Sequence, residues 1–346
     1  MTDKLPYITQ DLPGIGGWIK NQPNHFIVEE IPLYDPAGQG DHVYVRLVRE
    51  DWTTRSLMEA LGKIFALREV DLGCAGLKDR QARVTQTISL LLPQMDEEAV
   101  AGRIAENLPV QVLEVRRHTN KLKTGHLLGN RFTVVIEGVG REILSRAGEI
   151  AAVLNSRGLP NFYGPQRFGL KGDNAARGRE LILGKGPRRP WLKRFLLSAF
   201  QAELFNDWLA ERIRRGWFER LMTGDIAKKI STGGLFQVED LQVEQPRFEN
   251  KEITYTGPIY GGRMRWAGGE PGALERLILD NSGVTEENLA RARLDGSRRP
   301  ARLFVEGLRL DLIDTGLALS FSLPKGSYAT TLLREFMKVE TSLPEE

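Results

Sequence analysis

Among 346 residues there is one cysteine, Cys74. It cannot close an intramolecular disulfide or build a multi-cysteine zinc site. Histidine is sparse too: the four, at positions 25, 42, 118 and 126, have no metal-ligand spacing. No uninterrupted apolar stretch approaches the ~20 residues that a membrane span needs. None follows Met1-Thr2-Asp3-Lys4-Leu5-Pro6 as a secretory leader would. These absences predict a cytoplasmic chain, kept reduced, with no membrane partner and no metal. The sequence also lacks a Walker loop, His-Glu-x-x-His, Cys-x-x-Cys and Gly-x-Ser-x-Gly. Gly14-Ile15-Gly16-Gly17 has no strand before it and is not a dinucleotide fingerprint. No cofactor is expected.

What remains is ordinary globular material. Hydrophobic residues make up 41% and charged residues 27%, and the length suits about two domains of ~100–200 residues. The net charge of +3 hides a split. Residues 158–230 hold 15 Lys/Arg against 7 Asp/Glu, a local +8, whereas outside 158–302 the count is 23 basic to 27 acidic. A second basic stretch holds Arg116, Arg117, Lys121, Lys123 and Arg131 with no acid among them. Nearby aromatics (Phe132, Phe162, Tyr163, Phe168, Trp191) suit a phosphate backbone with bases to stack upon. Any single run of this kind is also what a solvated face looks like.

Alternation predicts strands at Phe26–Ile31 and His42–Val48, and Thr53 or Thr54 can cap a helix with Leu57, Leu61, Ile64 and Phe65 on one face. Val70–Gly76, Val84–Leu92, Val110–Val115 and Phe132–Ile136 read as further strands, Asp96–Asn107 and Arg141–Arg157 as helices. From Gly158 the style changes. A Gly/Pro/aromatic cluster precedes a long helix near Trp191–Arg215, and Tyr255-Thr256-Gly257-Pro258 and Gly261-Gly262 read as turns. Leu308–Asp314 and Leu317–Leu323 return as paired strands, with Tyr328–Val339 as a closing helix. The organisation expected is a discontinuous core, 1–157 plus 303–346, carrying an inserted domain at 158–302.

One loop concentrates the chemistry. Gly73-Cys74-Ala75-Gly76-Leu77-Lys78-Asp79-Arg80-Gln81-Ala82-Arg83 sets a single acid among cations just after a strand. Flanking Lys and Arg favour the ionised carboxylate that a nucleophile or base needs. Charge pattern alone fits a surface salt-bridge loop better.

The run Ala75-Gly76-Leu77-Lys78-Asp79-Arg80-Gln81-Ala82 resembles the catalytic motif of the TruD family of tRNA pseudouridine synthases. Three further stretches resemble that family in the same order: Gly125–Phe132, Pro160–Gly169 (Pro-Asn-Phe-Tyr-Gly-Pro-Gln-Arg-Phe-Gly), and Leu323–Thr330 followed by Arg334-Glu335. The resemblance extends from about Pro13 to Val339. Arg83 stands as an extra residue relative to the family pattern.

The resemblance implies an α+β fold: a pseudouridine-synthase core, with a mixed, mostly antiparallel sheet flanked by helices, and an inserted α/β TRUD domain. It implies an isomerase that converts a uridine of tRNA, typically position 13, to pseudouridine without a cofactor. Asp79 would be the catalytic aspartate and Lys20 its lysine neighbour. Phe132 would stack on the flipped base and Asn130 would orient the loop. Lys78, Arg80 and Arg167 are the further substrate-binding expectations, tRNA is the partner, and a monomer is expected. Two other readings stand beside this one: a non-catalytic RNA-binding protein or chaperone on the same scaffold, and a carboxylate enzyme of the glycoside hydrolase type. The latter needs a second acid ~5–10 Å away, for which Glu29 and Asp41 are the candidates.

Overall fold

The computed structural model describes residues 5–19, 22–78, 80–186 and 189–339. In chain order the elements are β1 (Phe26–Pro32), β2 (His42–Arg49), α1 (Thr54–Phe65), β3 (Leu72–Cys74), β4 (Arg83–Leu91), α2 (Glu97–Asn107), β5 (Gln111–His118), β6 (Leu127–Glu137) and α3 (Ile143–Arg157). There follow β7 (Leu159–Pro160), α4 (Asn174–Ile182), α5 (Pro190–Arg214), β8 (Ile226–Lys229), β9 (Leu235–Gln237), α6 (Leu241–Glu249), β10 (Ile253–Ile259), α7 (Gly269–Asn281), α8 (Glu286–Arg291), β11 (Ser297–Pro300) and β12 (Arg302–Leu303). The last are β13 (Glu306–Ile313), β14 (Gly316–Pro324) and α9 (Ala329–Met337). The chain divides into two units. The first takes residues 14–148, 305–326 and those from 337 on; the second takes residues up to 13, 149–304 and 327–336. The longest segment of the second unit, 149–304, lies beside the 158–302 expected for the insertion.

The first unit is built on one eight-stranded sheet in the order β13-β14-β6-β1-β4-β2-β5, with β3 also paired to β4. β1 and β4 run parallel, and the other described pairs in this sheet are antiparallel. The alternation read from the sequence places Val43, Val45 and Leu47 of β2 and Ile88 and Leu90 of β4 on one face, all fully buried. Two helices cover that face. In α1, Leu57, Leu61 and Phe65 recur every four residues and so form one apolar stripe; α2 adds Val100 and Ile104. Each aliphatic buried here stabilises the unit by about 1.5–3 kcal/mol. Thr53 starts α1: its Oγ1 accepts the Ser56 N–H, and Ser56 Oγ accepts the Thr53 N–H in return.

In the second unit a four-stranded sheet has the order β11-β10-β8-β9. The 25-residue helix α5 packs Phe205, Trp208 and Leu209 against Tyr255 of β10, Ala227 of β8 and Phe162. Two ion pairs are sealed in this unit. Arg212 reaches Asp225 at 2.7 Å, and Arg298 reaches Glu275 at 2.7 Å.

Two differences from the expected local structure appear here. β6 begins at Leu127 and not at Phe132, so Gly129-Asn130-Arg131 is already strand. Gly129 is required by the neighbouring strand: a Cβ there would lie 2.2 Å from the Leu323 carbonyl oxygen of β14. Tyr255-Thr256-Gly257-Pro258 is likewise the middle of β10. A Cβ on Gly257 would lie 2.3 Å from the Trp208 ring, so the glycine makes room for that indole. Pro258 needs no N–H there, because β8 pairs only with Ile253–Tyr255.

Candidate active site

The motif loop joins β3 to β4. Asp79 and Lys20, the two catalytic expectations, lie outside the described residues. The residues on either side of Asp79 are described, and both are held.

Lys78 is fixed at three points. Its backbone N–H donates to Thr54 Oγ1 at 2.9 Å, its carbonyl accepts from Arg49 Nη2 at 3.1 Å, and its ammonium donates to Glu30 Oε1 at 2.7 Å. The Lys78 and Glu30 side chains are only 7% and 6% exposed. The other Glu30 oxygen, Oε2, accepts the Thr87 N–H at 2.9 Å. That N–H lies on β4 between the stretch paired to β1 and the stretch paired to β3, where no strand partner reaches it. Glu30 therefore closes a gap in the sheet and anchors the loop with the same carboxylate.

Thr54, the first residue of α1, is a buried hub. Its Oγ1 accepts from Lys78 N and from Arg49 Nη2, leaving its single proton for Gln86 Oε1 at 3.2 Å. This fixes the Gln86 amide with its NH2 turned away. Gln86 is 1% exposed and its Nε2 has no hydrogen-bond partner among the described residues. Arg49, also buried, donates through Nη1 to the Trp52 carbonyl.

The β2–α1 connection thus braces the motif loop along its length. Arg80, which is exposed, donates through Nε to the Asp51 carbonyl at 3.1 Å. Arg83 donates to Glu50 Oε1 at 3.2 Å. The cations of the loop are consequently not equivalent. Lys78 points inward and is committed to Glu30, whereas Arg80 remains at the surface beside Asp79 in sequence. On β3, burial pushes the Cys74 thiol above its usual range, and the Glu30 charge adds to this while Lys78 and Lys121 oppose it.

Asn130 and Phe132 stand on β6, one strand over from Glu30. Asn130 is the register partner of Glu30, and Phe132 that of Val28. Asn130 Oδ1 is buried and has no hydrogen-bond partner among the described residues, which leaves a polar acceptor in a site that would favour a donor. Phe132 is 7% exposed. Its ring stacks on Phe321 at 5.3 Å and 24°, and meets Phe26 edge-on at 6.3 Å. In this structure it is part of an aromatic cluster. Glu29 faces away from this group and pairs with Arg131 at 3.5 Å. The acids that reach the loop are Glu30, at Lys78, and Glu50, at Arg83.

Arg167 belongs to the second unit. The Asn161–Tyr163 segment before it is tied down by Asn206, whose Oδ1 accepts the Tyr163 N–H at 2.8 Å and whose Nδ2 donates to the Tyr163 carbonyl at 3.0 Å. Arg299 Nη2 donates to Asn161 Oδ1 at 2.6 Å and lies 4.0 Å from the centre of the Tyr163 ring. Arg167 sits 5.6 Å from the same ring, with its Nε buried and unpartnered among the described residues. Thr330 Oγ1 reaches Gln166 Oε1 at 3.5 Å and Tyr328 packs edge-on to Tyr163. The Pro160–Gly169 stretch and the Ser327–Thr330 half of the Leu323–Thr330 stretch therefore meet within the second unit.

Glu30, Arg49 and Gln86 were not singled out from the sequence, and Thr54 only as a helix-cap candidate, although a signal was present. Each of Glu30, Arg49 and Gln86 interrupts the apolar side of an alternating strand: Phe26-x-Val28-x-Glu30, Val43-x-Val45-x-Leu47-x-Arg49 and Val84-x-Gln86-x-Ile88. A polar group on such a face is buried, and a buried polar group needs a partner.

The family model of tRNA pseudouridine synthase D (TruD) matches residues 3–186 and 189–336. A protein of Anaeromyxobacter dehalogenans named tRNA pseudouridine synthase D is 44% identical over 355 residues, covering 100% of both chains. One of Thermus thermophilus with the same name is 46% identical over 343 residues, covering 98% of this chain and 93% of its own. Among solved structures, the crystal structure of the "Putative tRNA pseudouridine synthase D (TruD)" from Methanosarcina mazei superposes with a TM-score of 0.76 at 24% identity, over 96% of each chain. The mixed, mostly antiparallel sheet with its helices is the fold of that protein. Among the described residues no helix is long and apolar enough to cross a membrane.

Proposed function

We propose that this chain, which belongs to the TruD family of tRNA pseudouridine synthases, isomerises a uridine of tRNA, position 13, to pseudouridine. Asp79 supplies the catalytic carboxylate and Lys20 is its cationic neighbour. The first unit is the catalytic core, and most of the second is the inserted domain. The observation that carries the reading is the brace around residue 79. Three buried side chains, Glu30, Arg49 and Thr54, are spent on fixing the backbone and ammonium of Lys78. A merely solvated loop has no use for such an investment of buried polar groups, whereas a carboxylate that must meet one carbon atom does.

The chemistry agrees with the residues. The C1′–N1 bond breaks, the uracil turns, C1′ bonds to C5, and the C5 proton is lost while N1 gains one. Nothing is oxidised and no energy source is consumed. The base must leave the RNA stack, which costs a few kcal/mol. Stacking on an aromatic offsets ~1–3 kcal/mol of this, and Phe132 is the ring proposed for it. Phe321 covers one face of that ring and the side chain is 7% exposed, so a base can use only the other face, once that face is uncovered. Asn130 offers a buried acceptor next to it, and exposed Arg80 offers a phosphate contact.

The test uses unmodified tRNA tritiated at uridine C5. The wild-type protein should release tritium to water, and Asp79→Asn should release none while binding tRNA within a few-fold of wild type. Tight binding without release by the wild type would replace this reading with that of an RNA-binding protein.

A further inference from the structure

The basic segment of the second unit carries a feature that the isomerase reading does not use. Between Glu180 and Glu203 there is no acid and there are five cations: Lys185, Arg188, Arg189, Lys193 and Arg194. Helix α5 begins within this segment, at Pro190. On its first turn Trp191 is 66% exposed, unusual for so large an apolar side chain. Its ring lies parallel to that of Phe195, with centroids 5.9 Å apart and planes 3° from parallel. Phe195 is half-buried and so anchors the indole, most of which stays exposed. Arg194 is three residues from Trp191 and shares its side of the helix. Arg189, Lys193 and Arg194 are all exposed, and among the described residues none of them has an acidic partner.

The cations do not serve the helix, and the i,i+4 contact with Phe195 uses only part of the indole. Cations in a first turn oppose the helix dipole, and this turn has no acid to offset them. A packed indole would be covered. An open π-face on a rigid support, ringed by unpaired positive charge, matches one kind of partner: an RNA strand with an unpaired base to stack and phosphates to neutralise.

We propose that Trp191, supported by Phe195, is a stacking platform for an unpaired nucleotide of the tRNA. Its exposed face receives the base, and Arg189, Lys193 and Arg194 take the adjoining phosphates. The inference rests on tRNA being the substrate, and it adds a binding site outside the motifs that carry the chemistry.

The experiment compares wild type, Trp191→Ala and Trp191→Phe in tRNA binding over a salt series. Tritium release by the wild type checks the underlying reading separately. Trp191→Ala should weaken binding about 5- to 150-fold, equivalent to the ~1–3 kcal/mol of one base–aromatic stack, without changing the salt slope. Trp191→Phe should recover most of the loss, because stacking tolerates any aromatic. It should also abolish the share of tRNA-induced fluorescence quenching that belongs to the indole. The triple variant Arg189→Ala/Lys193→Ala/Arg194→Ala should flatten the salt slope. An unchanged affinity in Trp191→Ala, or full quenching retained in Trp191→Phe, would overturn the platform while leaving an active wild type untouched. If the wild type itself neither binds tRNA nor releases tritium, the function reading falls, and the platform falls with it.

Discussion

Glu30→Gln isolates the charge in the brace around Lys78. The amide keeps an oxygen for the Thr87 N–H and alters only the partner of the Lys78 ammonium. At 2.7 Å, with both side chains no more than 7% exposed, this pair is buried enough for the cost of breaking it to be that of a stranded charge, about 3–5 kcal/mol. Replacing both partners removes the stranded charge, so Glu30→Gln/Lys78→Met should regain most of that stability; methionine keeps the apolar stem of the lysine. Cys74, the only thiol of the chain, lies on β3 in the same unit. Its reactivity toward a thiol reagent along a urea gradient therefore reports unfolding of the first unit without interference from the second. Activity should follow a different pattern. Tritium release should fall in Glu30→Gln and stay low in the double variant, because stability returns but the anchor on Lys78 does not. A loss below about 1 kcal/mol for Glu30→Gln, or strict additivity in the double variant, would refute the picture of a buried, coupled pair. Recovery of turnover along with stability would show that the pair supports the fold and not the loop.

Thr54→Val keeps the shape of the side chain but leaves the Lys78 N–H without its acceptor, a cost of about 1–3 kcal/mol for a buried donor. Single-turnover kinetics should show a lower rate constant with tRNA affinity little changed; a loss confined to affinity would contradict a positioning role. Cys74 should be alkylated slowly at pH 8 compared with the unfolded chain, since burial raises its thiol in the folded state. The folded form then holds a proton that the unfolded form loses above ~8.5. Stability should therefore decline as pH climbs through that value, and Cys74→Ala should remove this part of the decline. An alkylation rate equal to that of the unfolded chain would refute it.

Much of the fold could be read from pattern because single faces dominate. The Val43–Val45–Leu47 alternation and the four-residue spacing of Leu57, Leu61 and Phe65 need only a period to be recognised. Gly257 misled because glycine marks a turn in local reasoning, while here it makes room for the Trp208 ring; Gly129, just ahead of the expected strand, likewise makes room for the distant Leu323 carbonyl. The motif loop stood out through its concentration of charge, and resemblance supplied its meaning. The brace beneath it was harder to see. Glu29 and Glu30 are adjacent identical residues, and only the register of β1 decides that Glu30 meets Lys78 while Glu29 meets Arg131. Lys78 was for the same reason an open cation in the sequence and an inward one in the structure: its partner lies 48 positions away.

The separations in that brace bear on how the protein comes to be active. Lys78 is held from 48, 29 and 24 residues upstream, by partners on β1, at the end of β2 and at the start of α1. No hairpin or isolated helix contains even two of these contacts. The loop can acquire its shape only after β1, β2, α1 and β4 have come together, with the loop-closure entropy of each span already spent. Partly folded chains, including those still emerging from the ribosome, therefore carry Lys78 without these anchors. In refolding, the return of catalysis should lag behind the return of helix signal, and the length of the lag would time the closing of the sheet around residue 30.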